Sequence, residues 1–459
     1  MTQTKYSLIY DEIKQRILGG ELKSGSKLPS IRQLAEQHAC SKNTIIKAYT
    51  NLEKQHLIYS IPKSGYFVVN DRYPLVNGSD IDHIDFLSAG PDPAAMPYED
   101  FQHCLNQAIN LHKGELFAYS HPQGIPSLRM ELTNHLQDRQ VFTTSDKICI
   151  TSGSQQVINL LVSMPFPNGK SNILIEQPTY FGVIESLKVN DVKTFGIERT
   201  MAGIDFEKLE YMFRYKDIKF FYTVPSLNNP LGHTYTNSQK KKMVELAHKY
   251  DVYIVEDDIF SDLDLNAKSD PMYAYDSKEK VIYVKSFSKI TLPGLRIGAV
   301  VLPELLKNTF MRFKFSNDLF SSTVSQGALE IYLKSRMFNG HLERIKELYR
   351  RKMEIARIAC NRCLPTNVRF TEPAAGFYFS IYLPKKIQAP QLVTMLKHRG
   401  VSVSDGNRLF LSEFRKGNMI RLCISQVEEE QIQQGIEIIA DCLHKMENEP
   451  IRFVERMEI

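Results

Sequence analysis

The sequence predicts an α/β protein whose body is built on a mostly parallel sheet and is preceded by a small winged helix-turn-helix. Three observations predict it. From Ile84 onward, apolar runs of strand length alternate with helical stretches, the pattern of a sheet with mostly parallel strands. Before that, short amphipathic helices are followed by a hairpin pattern. The charge divides along the same line: residues 1–70 hold ten Lys/Arg and five Asp/Glu, whereas residues 71–459 hold 47 of each. A positive excess confined to the first sixth of the chain is the electrostatic footprint of a nucleic-acid reader attached to a neutral body.

A chain of 459 residues exceeds one ordinary core, so two or three domains are expected. Hydrophobic residues at 43% and charged ones at 24% give an ordinary globular balance. No apolar run approaches the roughly 18 residues of a spanning helix. The N-terminus is polar and lacks the apolar stretch of a secretory leader, so a cytoplasmic protein is expected. Seven scattered cysteines fit a reducing compartment. Cys360 and Cys363 form a lone C-x-x-C without the two further ligands that zinc needs, and read as ordinary half-buried thiols.

In chain order, Leu8, Ile9, Ile13, Ile17 and Leu18 give a helix over Tyr6–Leu18, stopped by Gly19-Gly20. Ser30 is a plausible N-cap for a second helix with Leu34 and Ala35 inward. Ser41 caps a third, running to Ile58, with Ile45, Ala48, Tyr49 and Leu52 on one face. Tyr59–Ile61 and Gly65–Val69 read as a hairpin around Pro62-Lys63-Ser64. The second helix of such a pair enters the major groove by its first turn. Ser41, Lys42, Asn43 and Thr44 therefore face base edges and phosphates, with Lys47 one turn further on. Arg32 can reach a phosphate, and Lys63 with Gly65 places the wing tip on the backbone. A basic helical module with a solvated face is the competing reading. Residues 1–70 form the reader, 71–83 a polar linker containing Pro74 and Gly78, and 84–459 the body.

In the body, strands are expected at Lys147–Thr151, Asn172–Glu176, Lys219–Thr223, Tyr253–Glu256 and Val281–Lys285, with a ligand site at their carboxyl ends. The small-residue turn Thr151–Gln156 opens a helix through Val157–Leu161, a natural phosphate seat or merely a capped turn. Tyr180, after the second run, can lie flat on a conjugated ring, or pack in the core. Asn229, before a proline, can donate its amide to a ligand oxygen. Asp257, at a buried strand end, needs a cation such as a pyridinium nitrogen; metal binding by Glu256–Asp258 is the alternative. The string Val284–Gly298, VKSFSKITLPGLRIG, places Lys289 beside Ser286 and Ser288 and seven residues before Arg296. Lysine condenses with aldehydes, while hydroxyls and arginine bind phosphate, and pyridoxal 5'-phosphate offers both partners. Arg421, in the apolar strand MIRLCI, suits the carboxylate of a bound amino acid or a structural salt bridge.

The first segment resembles the GntR family of bacterial regulators in its L-P-S-x-R-x-L-A (Leu28–Ala35), S-x-N-T and S-G-Y-F-V strings. From about Ser88, the order of phosphate turn, aromatic, Asn-Pro, aspartate, S-F-S-K-x-x-x-P-G-L-R and late arginine resembles fold-type-I pyridoxal-phosphate enzymes of the aspartate aminotransferase family. That resemblance implies a large, mostly parallel sheet plus a smaller C-terminal α/β subdomain, with Lys289 carrying the cofactor. It puts Gly153, Ser154, Gln155, Ser286 and Arg296 at the phosphate. It also implies a homodimer in which Tyr119 serves the partner's phosphate. The two halves together resemble the MocR subfamily, which implies head-to-tail, domain-swapped dimers on a double-stranded operator that sense an amino acid, an amine or the cofactor itself. One departure is Phe260, where aminotransferases usually carry a tyrosine three residues after the aspartate. This puts efficient turnover in doubt and leaves a working aminotransferase as the rival reading.

Overall fold

The computed structural model describes residues 5–19, 21–23, 25–55, 57–61, 64–69, 83–266 and 268–448. The chain divides into two compact units, Met1–Asp82 and His83–Ile459. Lys63 and the expected linker, apart from His83, lie outside the described residues.

In the first unit, helices α1 (Lys5–Leu18), α2 (Ile31–Gln37) and α3 (Lys42–Lys54) precede strands β1 (Ile58–Ile61) and β2 (Gly65–Val68). The strands pair antiparallel, with Ile58 opposite Val68 and Ile61 opposite Gly65. Ile13, Leu34, Ile45, Tyr49, Leu52 and Val68 close one small core, while Leu8 on α1 is half exposed. Ser30 caps α2 in a full capping box with Gln33, satisfying donors that the helix start leaves free. The third helix ends at Lys54, short of the expected Ile58. Ile58 is buried as a strand residue, because its partner across the wing, Val68, supplies apolar cover that another helical turn would lack.

The second unit is organised by an eight-stranded sheet. Its strands are β3 (Ile148–Thr151), β4 (Asn172–Gln177), β5 (Thr194–Thr200), β6 (Gly203–Ile204), β7 (Ile218–Thr223), β8 (Tyr253–Asp258), β9 (Val281–Ser286) and β10 (Gly298–Val301). Across the sheet the order is β3-β10-β9-β8-β7-β4-β5-β6. The neighbours from β9 through β8, β7 and β4 to β5 are parallel, whereas β10 is antiparallel to both β9 and β3. Every residue of β7, β8 and β9 is buried, the continuous apolar pattern of strands covered on both faces. Helices α4 (Ser154–Ser163) and α5 (Phe181–Val189) follow β3 and β4.

Beyond the long helix α6 (Met337–Cys363), strands β11 (Arg369–Phe370), β12 (Tyr378–Tyr382) and β13 (Met419–Cys423) form a smaller antiparallel sheet, which α7 (Glu429–Asn448) follows. Cys360 is buried and Cys363 half buried in α6. No helix among the described residues is long and apolar enough to cross a membrane.

Candidate functional site

Parallel pairing delivers the carboxyl ends of β4, β7, β8 and β9 to one edge. The antiparallel β10 brings the start of its own strand there too, because Gly298 pairs with both Ser286 and Thr151. The turn after β3, the end of β9 and the loop carrying Arg296 are therefore neighbours, although up to 147 residues separate Thr151 from Gly298.

At the helix end, Gly153 N-caps α4 with φ of +87°, a conformation that favours glycine. The Arg296 guanidinium lies against it and donates to the Ser152 carbonyl at 3.3 Å; a Cβ on Gly153 would come within 2.8 Å of Nη2. The first-turn N–H groups, Ser154 and Gln155 included, lack partners within the helix and face the same edge as Arg296, so an anion is favoured there. Gln155 contributes only its backbone to this seat: its side-chain amide donates to Gly182 O and Ser186 Oγ on α5, at 3.1 and 3.0 Å. Ser286, buried at the end of β9, accepts from the Ser288 N–H at 3.3 Å.

Asp257 is fully buried within β8 rather than after it. One carboxylate oxygen accepts from the Tyr222 hydroxyl at 2.5 Å, and the other has no partner. Burial pushes its pKa up to about 7 against the opposing Tyr222 hydrogen bond. The rest of the acidic run turns elsewhere. Asp258 accepts from Ser261, Tyr283 and Lys285, while Glu256 accepts from the N–H groups of Met272 and Tyr273. These three carboxylates therefore do not converge as a metal site would require.

Lys289 donates to the Ala89 carbonyl. Burial lowers its pKa and the Arg421 and Arg296 charges lower it further, which favours the neutral, nucleophilic amine. Tyr180 N-caps α5 and is partly buried, and burial raises its phenol pKa. The Asn229 carboxamide oxygen is buried without a partner. Arg421, in β13 and 7% exposed, donates from Nη2 to the Leu87 carbonyl at 2.9 Å, while its Nε is buried and unpartnered. No carboxylate pairs with it among the described residues, so the alternative of a structural salt bridge does not hold. Phe260 packs edge-on against Phe377 and Tyr378. Tyr119, which is 89% exposed, lies on the protein surface beside Phe320.

An aldehyde-reactive amine, an anion seat and a buried carboxylate with one unpartnered oxygen thus share one edge, and Arg421 of the small sheet, with its Nε unpartnered, reaches the Leu87–Ala89 segment that Lys289 also contacts. Their donor and acceptor types fit pyridoxal phosphate and a carboxylate-bearing amine. Sequence reasoning missed Tyr222 and the carbonyls of Leu87 and Ala89. A buried tyrosine in the apolar run of β7 was the one available signal.

In the first unit, Ser41 N-caps α3; its hydroxyl accepts from the Thr44 N–H and hydrogen-bonds the Thr44 hydroxyl at 2.8 Å. Lys42 and Asn43 are exposed beyond that cap. Lys47 lies over the Tyr6 ring at 4.4 Å, and Arg32 pairs with Glu36 on the surface at 3.2 Å, a weak pair that a phosphate can replace. Gly65 opens β2, half buried, just past the turn of the hairpin.

Residues 94–439 match the family described as aminotransferase class I and II, and residues 5–68 match the gntR family of bacterial regulatory proteins. The chain is 43% identical over 440 residues to an uncharacterized HTH-type transcriptional regulator, YcxD, of Bacillus subtilis, covering 95% of this chain and 99% of that protein. It is 26% identical to the uncharacterized HTH-type transcriptional regulator YdcR of Escherichia coli, over 89% of this chain and 92% of the relative. Among solved structures, kynurenine aminotransferase of Pyrococcus horikoshii, in complex with PMP, superposes with a TM-score of 0.75 at 27% identity, covering 80% of this chain and 92% of the other. The chain belongs to the aminotransferase class I and II family and carries an N-terminal module of the gntR family.

Proposed function

We propose that this protein is a DNA-binding transcriptional regulator whose aminotransferase-like body holds pyridoxal 5'-phosphate and senses a small amino acid or amine. The observation that carries the reading is the joint presence of a partly buried lysine with a lowered pKa and a buried aspartate with one unpartnered oxygen at one sheet edge, in a chain with a gntR-type module. Bound there, the cofactor would supply an aldehyde for reversible condensation with amines and an electron-withdrawing ring.

Lys289 would hold the group through its amine, Asp257 would pair with its ring nitrogen, and Tyr180 and Asn229 would add an aromatic contact and an amide donor. Gly153, Ser154 and Gln155, by their N–H groups, together with Ser286 and Arg296, hold the phosphate, and Tyr119 of the partner subunit joins them. Arg421 receives the carboxylate of an effector whose amine competes with Lys289. Such an effector shifts the dimer only by its difference in affinity for the two states. The dimer is head-to-tail and domain-swapped, sits in the cytoplasm, and reads a double-stranded operator through Arg32, Ser41, Lys42, Asn43, Thr44, Lys47, Lys63 and Gly65.

The aminotransferase neighbours favour a second reading, a working transaminase with an appended reader. Phe260 counts against it, since it offers no hydroxyl three residues after Asp257. An absorbance titration separates the readings. A band near the visible edge, lost in Lys289→Ala and shifted by an amino acid without steady turnover against 2-oxoglutarate, supports the regulator. Turnover at ordinary enzymatic rates supports the transaminase.

A further inference from the structure

Strands β12 and β13 pair Tyr378 with Cys423 and Ser380 with Arg421, so these four side chains share one face of the small sheet. Tyr378 is 2% exposed and its ring is clamped. It meets Phe260 edge-on at 5.5 Å, and the Arg421 guanidinium carbon lies 5.1 Å from its centroid. Its hydroxyl bonds to no described residue and, unlike those of Tyr253 and Tyr332, is not one of the enclosed unpartnered oxygens, so it keeps contact with solvent. The positive charge of Arg421 acts on both Tyr378 and Lys289, which makes the three neighbours. Cys423 is engaged with Ser425 at 3.2 Å, and Arg421 keeps a buried, unpartnered Nε. The guanidinium can only donate and the phenol can donate as well, so a carboxylate, which only accepts, can take a hydrogen bond from each.

We infer that the Tyr378 hydroxyl shares with Arg421 the seat for the effector's carboxylate, and so selects amino acids over amines. The inference rests on the reading of the Lys289 pocket given above. Its test uses two stable probes on the full-length apo protein, N-phosphopyridoxyl-L-alanine and N-phosphopyridoxyl-ethylamine, which differ only in the carboxylate. In the wild type the alanine adduct binds more tightly. Tyr378→Phe removes only an unbonded oxygen. It should cut that preference roughly tenfold, the size of a hydrogen bond to a charged group, while the ethylamine adduct binds within about twofold of wild type. An unchanged preference, or equal loss for both adducts, overturns the inference while leaving the Lys289 reading intact. Failure of the wild type to bind either adduct sinks the Lys289 reading itself, and this inference with it.

Discussion

Asp257 illustrates how much a single buried group can reveal. A carboxylate fully removed from water with one oxygen bare is disfavoured in its charged form, and burial holds its pKa near 7. Because the folded value lies above the unfolded one, this group's contribution to apo stability is present at low pH. It is lost as pH rises from about 4 to about 7, where the unfolded chain releases the proton first. Asp257→Asn should therefore be more stable than wild-type apo protein at about pH 8, by an amount on the order of a few kcal/mol in denaturant melts, with little difference near about pH 4. It should also lose the cofactor. Tyr222→Phe removes the one donor that favours the charged form, so cofactor affinity, read by absorbance titration at neutral pH, should fall about tenfold. Residues such as Tyr222 and the carbonyls of Leu87 and Ala89 were not legible in sequence. Their partners lie 35 to 334 positions away, and only the packed sheet brings them together.

At the scale of elements, the proposed reading assigns binding to two helix starts. The N-terminus of α4 works as an anion seat only while Arg296 can lie flat on Gly153. Gly153→Ala would place a methyl within 2.8 Å of Nη2 and strain a left-handed backbone. Affinity for pyridoxal 5'-phosphate, read by absorbance titration, should then fall by about tenfold or more, the size of one charge-assisted hydrogen bond. On α3, Ser41 and Thr44 hydrogen-bond each other at the cap, while Lys42 and Asn43 stand exposed beside them. Lys42→Ala and Arg32→Ala should each weaken operator binding and lower the slope of log affinity against log salt by about 0.9 for each phosphate no longer neutralised. Most element cores were readable, because apolar periodicity and capping residues act locally. Their ends were not. The third helix stops at Lys54 because Ile58 pairs across the wing, and β8 extends through Asp258 because β9 pairs with it there.

For the whole molecule, the boundary between the two compact units lies at Asp82–His83, twelve residues beyond the segment that holds the positive excess. Deleting residues 1–70 should abolish operator affinity in a mobility-shift assay yet leave cofactor absorbance unchanged; unchanged operator affinity would remove the DNA-binding assignment. The architecture was legible because each half carries its own local strings, and the wiring between cofactor and reader was not, since coupling resides in no single motif. One covalent link carries the sensing mechanism. Incubation with pyridoxal 5'-phosphate, borohydride reduction and peptide mass spectrometry should find the added pyridoxyl mass on Lys289. The same treatment leaving every lysine unmodified with the vitamin in excess, or marking another lysine instead, would contradict it.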